Sequence, residues 1–124
     1  MKYFLSIGSN INAEKNINLA LSELKEIFTN FEISSTHETV SEGFEGDNFL
    51  NLVTSGDTSL EFDELNKTLK QIEDKSGRDR SAPKFSARTL DIDIVLQIDD
   101  DEVIFESDEI EKYKFVSDPL KEIL

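Results

Sequence analysis

The chain of 124 residues contains no cysteine. Disulfides, thiolate zinc sites and cysteine nucleophiles are therefore excluded. Its single histidine, His37, leaves no room for a metal site built mainly on imidazole, and in a predicted strand an ordinary structural role suits it better than catalysis. No stretch approaches the roughly 18 consecutive apolar residues of a membrane helix. The apolar run after Met1-Lys2 breaks at Ser6 and Gly8, so no secretory leader is read there. Neither of the common nucleotide fingerprints, G-x-x-x-x-G-K-[ST] or G-x-G-x-x-G, occurs. Positive charge is also scarce. The formal net charge of −14 argues against nucleic acid or an anionic membrane as a partner through bulk electrostatics. A cytoplasmic, monomeric protein is expected, with residues 1–124 forming a single domain around one core.

What the chain does have is a clear alternation of elements. Residues 2–7 read as a strand, closed by the turn Gly8-Ser9-Asn10, whose backbone amides are one possible seat for an anion. Ile17, Leu21, Leu24 and Phe28 recur at helical spacing, with Ala20 and Ile27 widening the stripe, which predicts a helix over 13–29 with Asn12 as its cap. Residues 32–38 alternate weakly and predict a second strand, 39–47 a mobile loop, and 48–54 a third strand. Leu65, Leu69 and Ile72 mark a second helix over 61–75, stopped by Gly77. After a polar loop at 77–88 come strands at 89–97 and 103–105, joined by an acidic turn, and a short helical tail ending near Ile123. That turn, Asp99 to Glu102, lacks the spaced ligands of a calcium loop and reads as a solvated hairpin. The order β-α-β-β-α-β predicts a ferredoxin-like α+β fold, an antiparallel sheet with helices packed on it.

The positive residues are few but concentrated. All three arginines, Arg78, Arg80 and Arg88, fall in one stretch shared with Lys75 and Lys84. Arginine is suited to planar, bidentate recognition of phosphate and carboxylate. Immediately after them, Asp91 and Asp93 interrupt an otherwise apolar strand. Side chains on a strand alternate, so both carboxylates share one face while Leu90, Ile92 and Ile94 share the other. Two carboxylates so placed suit Mg²⁺, which takes one or two of them and fills its shell with water and substrate phosphates. The spacing alone is equally a feature of an exposed polar sheet face. Together with the arginines it points to phosphate chemistry.

These residues carry a resemblance. The stretches "SIGSN" (6–10), "FLN" (49–51), "GRDR…ARTLDIDIVL" (77–96) and "FVSDPL" (115–120) resemble the 6-hydroxymethyl-7,8-dihydropterin pyrophosphokinases of folate biosynthesis. The resemblance implies transfer of pyrophosphate from ATP, as co-substrate, to the pterin's hydroxymethyl group. It also implies two Mg²⁺ ions held by Asp91 and Asp93. Arg78 and Arg88 match the loop arginines that grip phosphates and act in catalysis, and Arg80 a further ATP-loop arginine. Glu73, Phe85 and Ile94 match positions beside the nucleotide. Thr39, Phe49, Asn51 and Phe115 match positions around the pterin.

The chain departs from the family at several positions. Phe85 stands where the family usually has tryptophan, Phe49 where it has tyrosine, and Thr39-Val40-Ser41-Glu42-Gly43 where it has Thr-Pro-Pro-Leu-Gly. A Pro-His pair and a downstream arginine are absent from 107–120, and Tyr113 occupies the arginine's place. The alternative reading is a divergent module on the same fold that binds pterin or nucleotide without turnover. A plain interaction domain is the third.

Overall fold

The computed structural model describes residues 1–40, 48–78 and 89–124. The elements are β1 (Lys2–Ser9), α1 (Ala13–Lys25), β2 (Thr29–Ile33), β3 (His37–Thr39), β4 (Phe49–Asp57), α2 (Phe62–Lys75), β5 (Asp91–Asp99), β6 (Glu102–Glu106), α3 (Glu109–Lys112) and α4 (Lys114–Ile123). The strands form one sheet in the order β2-β4-β1-β5-β6, with β3 also beside β4. Every pairing is antiparallel. This is the predicted α+β architecture, with β6 added at one margin. Of the predicted loops, residues 41–47 and 79–88 lie outside the described residues.

Three local details differ from the sequence pattern, each for a physical reason. The single strand expected over 32–38 is two strands, β2 and β3. Between them the buried Ser34 turns its hydroxyl onto the ladder, where its Oγ accepts from Val53 N at 2.9 Å. A side chain thus replaces a backbone partner, and the strand is interrupted. The turn expected at Gly8-Ser9-Asn10 starts later, because Gly8 and Ser9 still pair with Asn51 and Leu50 of β4. Asn12 stands at the cap position of α1 but in left-handed backbone (φ 46°) with no capping bond from its side chain. The Asn16 amide instead ties α1 to the preceding turn, donating to Ile11 O at 2.7 Å. Gly77 is the predicted stop of α2 and adopts φ 82°, a conformation that costs a glycine little and an L side chain more.

The sheet is apolar on both faces. On one, Ile17, Ala20 and Leu24 of α1 and Leu65, Leu69 and Ile72 of α2 pack on Tyr3, Leu5, Ile7, Leu52, Ile92 and Ile94. On the other, Val116 and Leu120 of α4 pack on Phe4, Val53, Val95 and Leu96. Burying each such side chain stabilises by about 1.5–3 kcal/mol. The C-terminal helix is also pinned electrostatically. Glu122 accepts from Ser35 N and Ser35 Oγ, both at 2.8 Å, and meets His37 Nε2 at 2.5 Å. The Ser35 amide, then His37 and the Ser35 hydroxyl, hold the Glu122 carboxyl down at about 2. The lone histidine thus has a structural partner, as its position in a strand implied.

Candidate active site

The second face, against which α4 packs, also carries polar residues. In the β1–β5 register Asp91 stands opposite Gly8 and Asp93 opposite Ser6. On the other side of β1, Asn51 of β4 stands opposite Gly8 and Val53 opposite Ser6. Strand alternation therefore brings Asp91, Asp93, Gly8 and Asn51 to one face, away from α1 and α2. Ile92 and Ile94 point to the opposite face, into the core.

The two carboxylates differ in surroundings. Asp91 has a side chain 38% exposed, and its Oδ1 accepts from Arg78 Nη1 at 3.1 Å. Asp93 is more enclosed and has its carboxyl pushed up to about 7, first by burial, then by the charges of Asp91, Glu109 and Glu73, with Lys70 opposing. Asp93, enclosed and beside a second carboxylate, is a group whose charged form a bound cation would favour. The donors of the pair are hard oxygens on one face, which fits Mg²⁺. No cluster of three or more His, Cys, Asp or Glu occurs among the described residues.

Arg78 is fixed at the entrance of β5. Its side chain is 10% exposed, and Nη1 donates to Leu90 O at 2.8 Å while facing Glu73 Oε1 at 3.4 Å. Glu73 is fully enclosed, its Oε2 accepting from Ile92 N at 2.8 Å. Arg80, Phe85 and Arg88 lie outside the described residues.

Farther along the same face, Asn51 Nδ2 donates to Thr39 Oγ1 at 2.8 Å, so two of the residues matched to the pterin site are in contact. Phe49 lies two residues before Asn51 and is half-buried. Phe115, at the start of α4, stacks on Tyr113 with ring centroids 4.8 Å apart and planes 21° apart. Nothing in the spacing of residues 113 and 115 foretold that stack. It follows from the extended backbone at Tyr113 (φ −127°, ψ 120°), which places both rings on one side of the chain.

Gly8 explains how the Asn51 amide is seated. A Cβ at Gly8 would lie 2.9 Å from Asn51 Oδ1, so the amide occupies the space a side chain would take. Gly8→Ala should displace Asn51 and weaken pterin binding about tenfold, with little change in ATP affinity. Calorimetric titration of the variant with each ligand separates the two, and equal pterin affinity would refute this role.

Comparison with known proteins places these residues in context. The family model of 7,8-dihydro-6-hydroxymethylpterin-pyrophosphokinase (HPPK) matches residues 4–124. A 2-amino-4-hydroxy-6-hydroxymethyldihydropteridine pyrophosphokinase of Aquifex aeolicus is 36% identical over 99 residues, covering 78% of this chain and 61% of that protein. The enzyme of the same name from Bacillus subtilis is 33% identical over 128 residues, covering 97% of this chain and 76% of that protein. A folate synthesis bifunctional protein of Chlamydia muridarum is 36% identical over 104 residues, covering 77% of this chain but 23% of that protein. The chain thus spans less than two thirds of the Aquifex relative.

Proposed function

Because the chain belongs to the 7,8-dihydro-6-hydroxymethylpterin-pyrophosphokinase family, we propose that it transfers pyrophosphate from ATP to 6-hydroxymethyl-7,8-dihydropterin. In this reaction the pterin hydroxyl oxygen bonds to the β-phosphorus of ATP, the α–β phosphoanhydride bond breaks, the hydroxyl proton is lost and AMP departs. The observation that carries the reading is the Asp91–Asp93 pair on the sheet face that also presents Asn51.

Asp91 and Asp93 are the residues that would hold the two Mg²⁺ ions the resemblance implies, and these would supply charge neutralisation at the transferring and leaving oxygens. Arg78 stands beside them, and the resemblance assigns Arg80, Arg88 and Phe85 to the nucleotide as well. Glu73 of α2 and Ile94 of β5, which the resemblance matches to the nucleotide side, are both buried, the Ile94 side chain on the face of β5 opposite Asp91 and Asp93. Asn51 and Thr39 fix the pterin's polar edge, and Phe49 and Phe115 flank its ring. Transfer of this type needs positioning and electrostatic stabilisation more than covalent help from the protein, so it asks for no histidine in the site. The protein acts as a cytoplasmic monomer on small molecules, without nucleic acid. No helix among the described residues is long and apolar enough to cross a membrane.

The full chain, supplied with ATP, Mg²⁺ and the dihydropterin alcohol, should release AMP in proportion to pterin consumed. Binding of both ligands without AMP release would establish the binding-module alternative, which the family match does not favour. Binding of neither would remove the reading altogether.

A further inference from the structure

We infer that Glu73 is a positioning residue for the Asp91–Asp93 pair, holding the strand between them and restraining Arg78, rather than a group that touches the nucleotide. This rests on the metal-dependent reading above. Glu73 lies near the end of α2 with its side chain fully enclosed. A carboxylate so enclosed is tolerated only when paired and hydrogen-bonded, and its partners show what it is for.

The first partner is the backbone of Ile92, the residue between the two aspartates. Glu73 Oε2 accepts from Ile92 N at 2.8 Å. The neighbouring strand β6 pairs with β5 only from Leu96 to Asp99. At Ile92 the outer side of β5 therefore has no strand beside it among the described residues. The Glu73 carboxylate takes the place of that missing strand, and it does so midway between the side chains that hold metal. An unbonded amide here would let the start of β5 shift, and both carboxylates would shift with it.

The second partner is Arg78, whose Nη1 faces Glu73 Oε1 at 3.4 Å and Asp91 Oδ1 at 3.1 Å. Lys70 Nζ adds a weaker contact to Glu73 Oε1 at 3.7 Å. Arg78 is thus shared between a buried carboxylate and a metal-binding one. Arg78 donates to Asp91 and stands slightly farther from Glu73, so the Glu73 charge offsets part of a hold on Asp91 that would otherwise compete fully with a cation.

Two replacements separate these roles. Glu73→Gln keeps an oxygen acceptor for Ile92 N and loses the charge; Glu73→Ala loses both. Mn²⁺ binding is read by electron paramagnetic resonance in the presence of a non-hydrolysable ATP analogue, Ile92 amide exchange by NMR, and AMP release across a Mg²⁺ series.

Glu73→Gln should keep Ile92 protected, weaken Mn²⁺ binding about 10-fold, and raise the Mg²⁺ requirement while kcat at saturating Mg²⁺ stays within about threefold. Glu73→Ala, if it folds, should also expose the Ile92 amide and lower kcat. Unchanged Mn²⁺ binding and Mg²⁺ requirement in Glu73→Gln would overturn the inference. So would a loss confined to ATP affinity at saturating metal, which would make Glu73 a nucleotide ligand. Failure of the unaltered chain to bind Mn²⁺ with the analogue is a different result: it removes the functional reading, and the inference with it.

Discussion

Asp93→Ala should lower AMP release by more than about 10³-fold and yet leave the protein folded and more stable above neutral pH. The loss follows from removing one of the two carboxylates proposed to hold metal. The gain follows from linkage. The folded protein holds the Asp93 carboxyl at about 7 against an ordinary 3.8, chiefly through burial and then through Asp91. The native state therefore binds this proton more tightly than the unfolded chain does. Stability from the protonated form is complete below about pH 4 and is lost as pH rises through about 7.

Asp93→Asn, which keeps the shape and removes the charge, should be more stable than the unaltered chain at pH 8 by about 2 kcal/mol. It should show no such advantage near pH 4. Urea unfolding at the two pH values measures this. Asp91→Ala should lose turnover similarly and should bring the Asp93 carboxyl back toward its ordinary range, because a like charge is removed. Near-normal AMP release by either alanine variant would show that the pair does not hold the metal.

Arg78→Ala should be costly twice. Turnover should fall about 100-fold, as expected for losing a preorganised cation beside developing charge. Stability should fall by about 2–3 kcal/mol, because the enclosed Glu73 carboxylate keeps its Ile92 bond but loses its nearer cation. Lys70, farther off at 3.7 Å and 41% exposed, offsets part of that loss. Arg78→Lys restores charge, but on a shorter side chain than the one that brings Nη1 to Leu90 O, Asp91 and Glu73 together. It should recover more of the stability than of the turnover. Chemical unfolding and steady-state kinetics on both variants give the comparison. If Arg78→Ala unfolds at the same urea concentration as the unaltered chain, Glu73 is balanced by other groups and the shared-arginine arrangement is wrong.

Much of this was legible in the chain before any coordinates, because the signals are local. Alternation within the stretch "LDIDIVL" puts Asp91 and Asp93 on one side and Ile92 on the other regardless of what packs nearby, and that is a property of strand geometry. Helical spacing of Leu65, Leu69 and Ile72 is likewise independent of the rest of the molecule, as is the left-handed stop at Gly77.

Other features required distant segments to meet. Ser34 breaks its strand because Val53 N, far along the chain, needs an acceptor there. Gly8 has no room for a side chain, because the Asn51 amide of another strand fills that space. Glu73 reads as one more polar residue on a charged helix. It becomes a buried carboxylate only when α2 packs against β5 and Ile92 N lacks a strand partner. Periodicity reports which face a residue occupies. What that face meets, and hence whether a charge is solvated, paired or set to hold a strand in place, is decided when the elements dock.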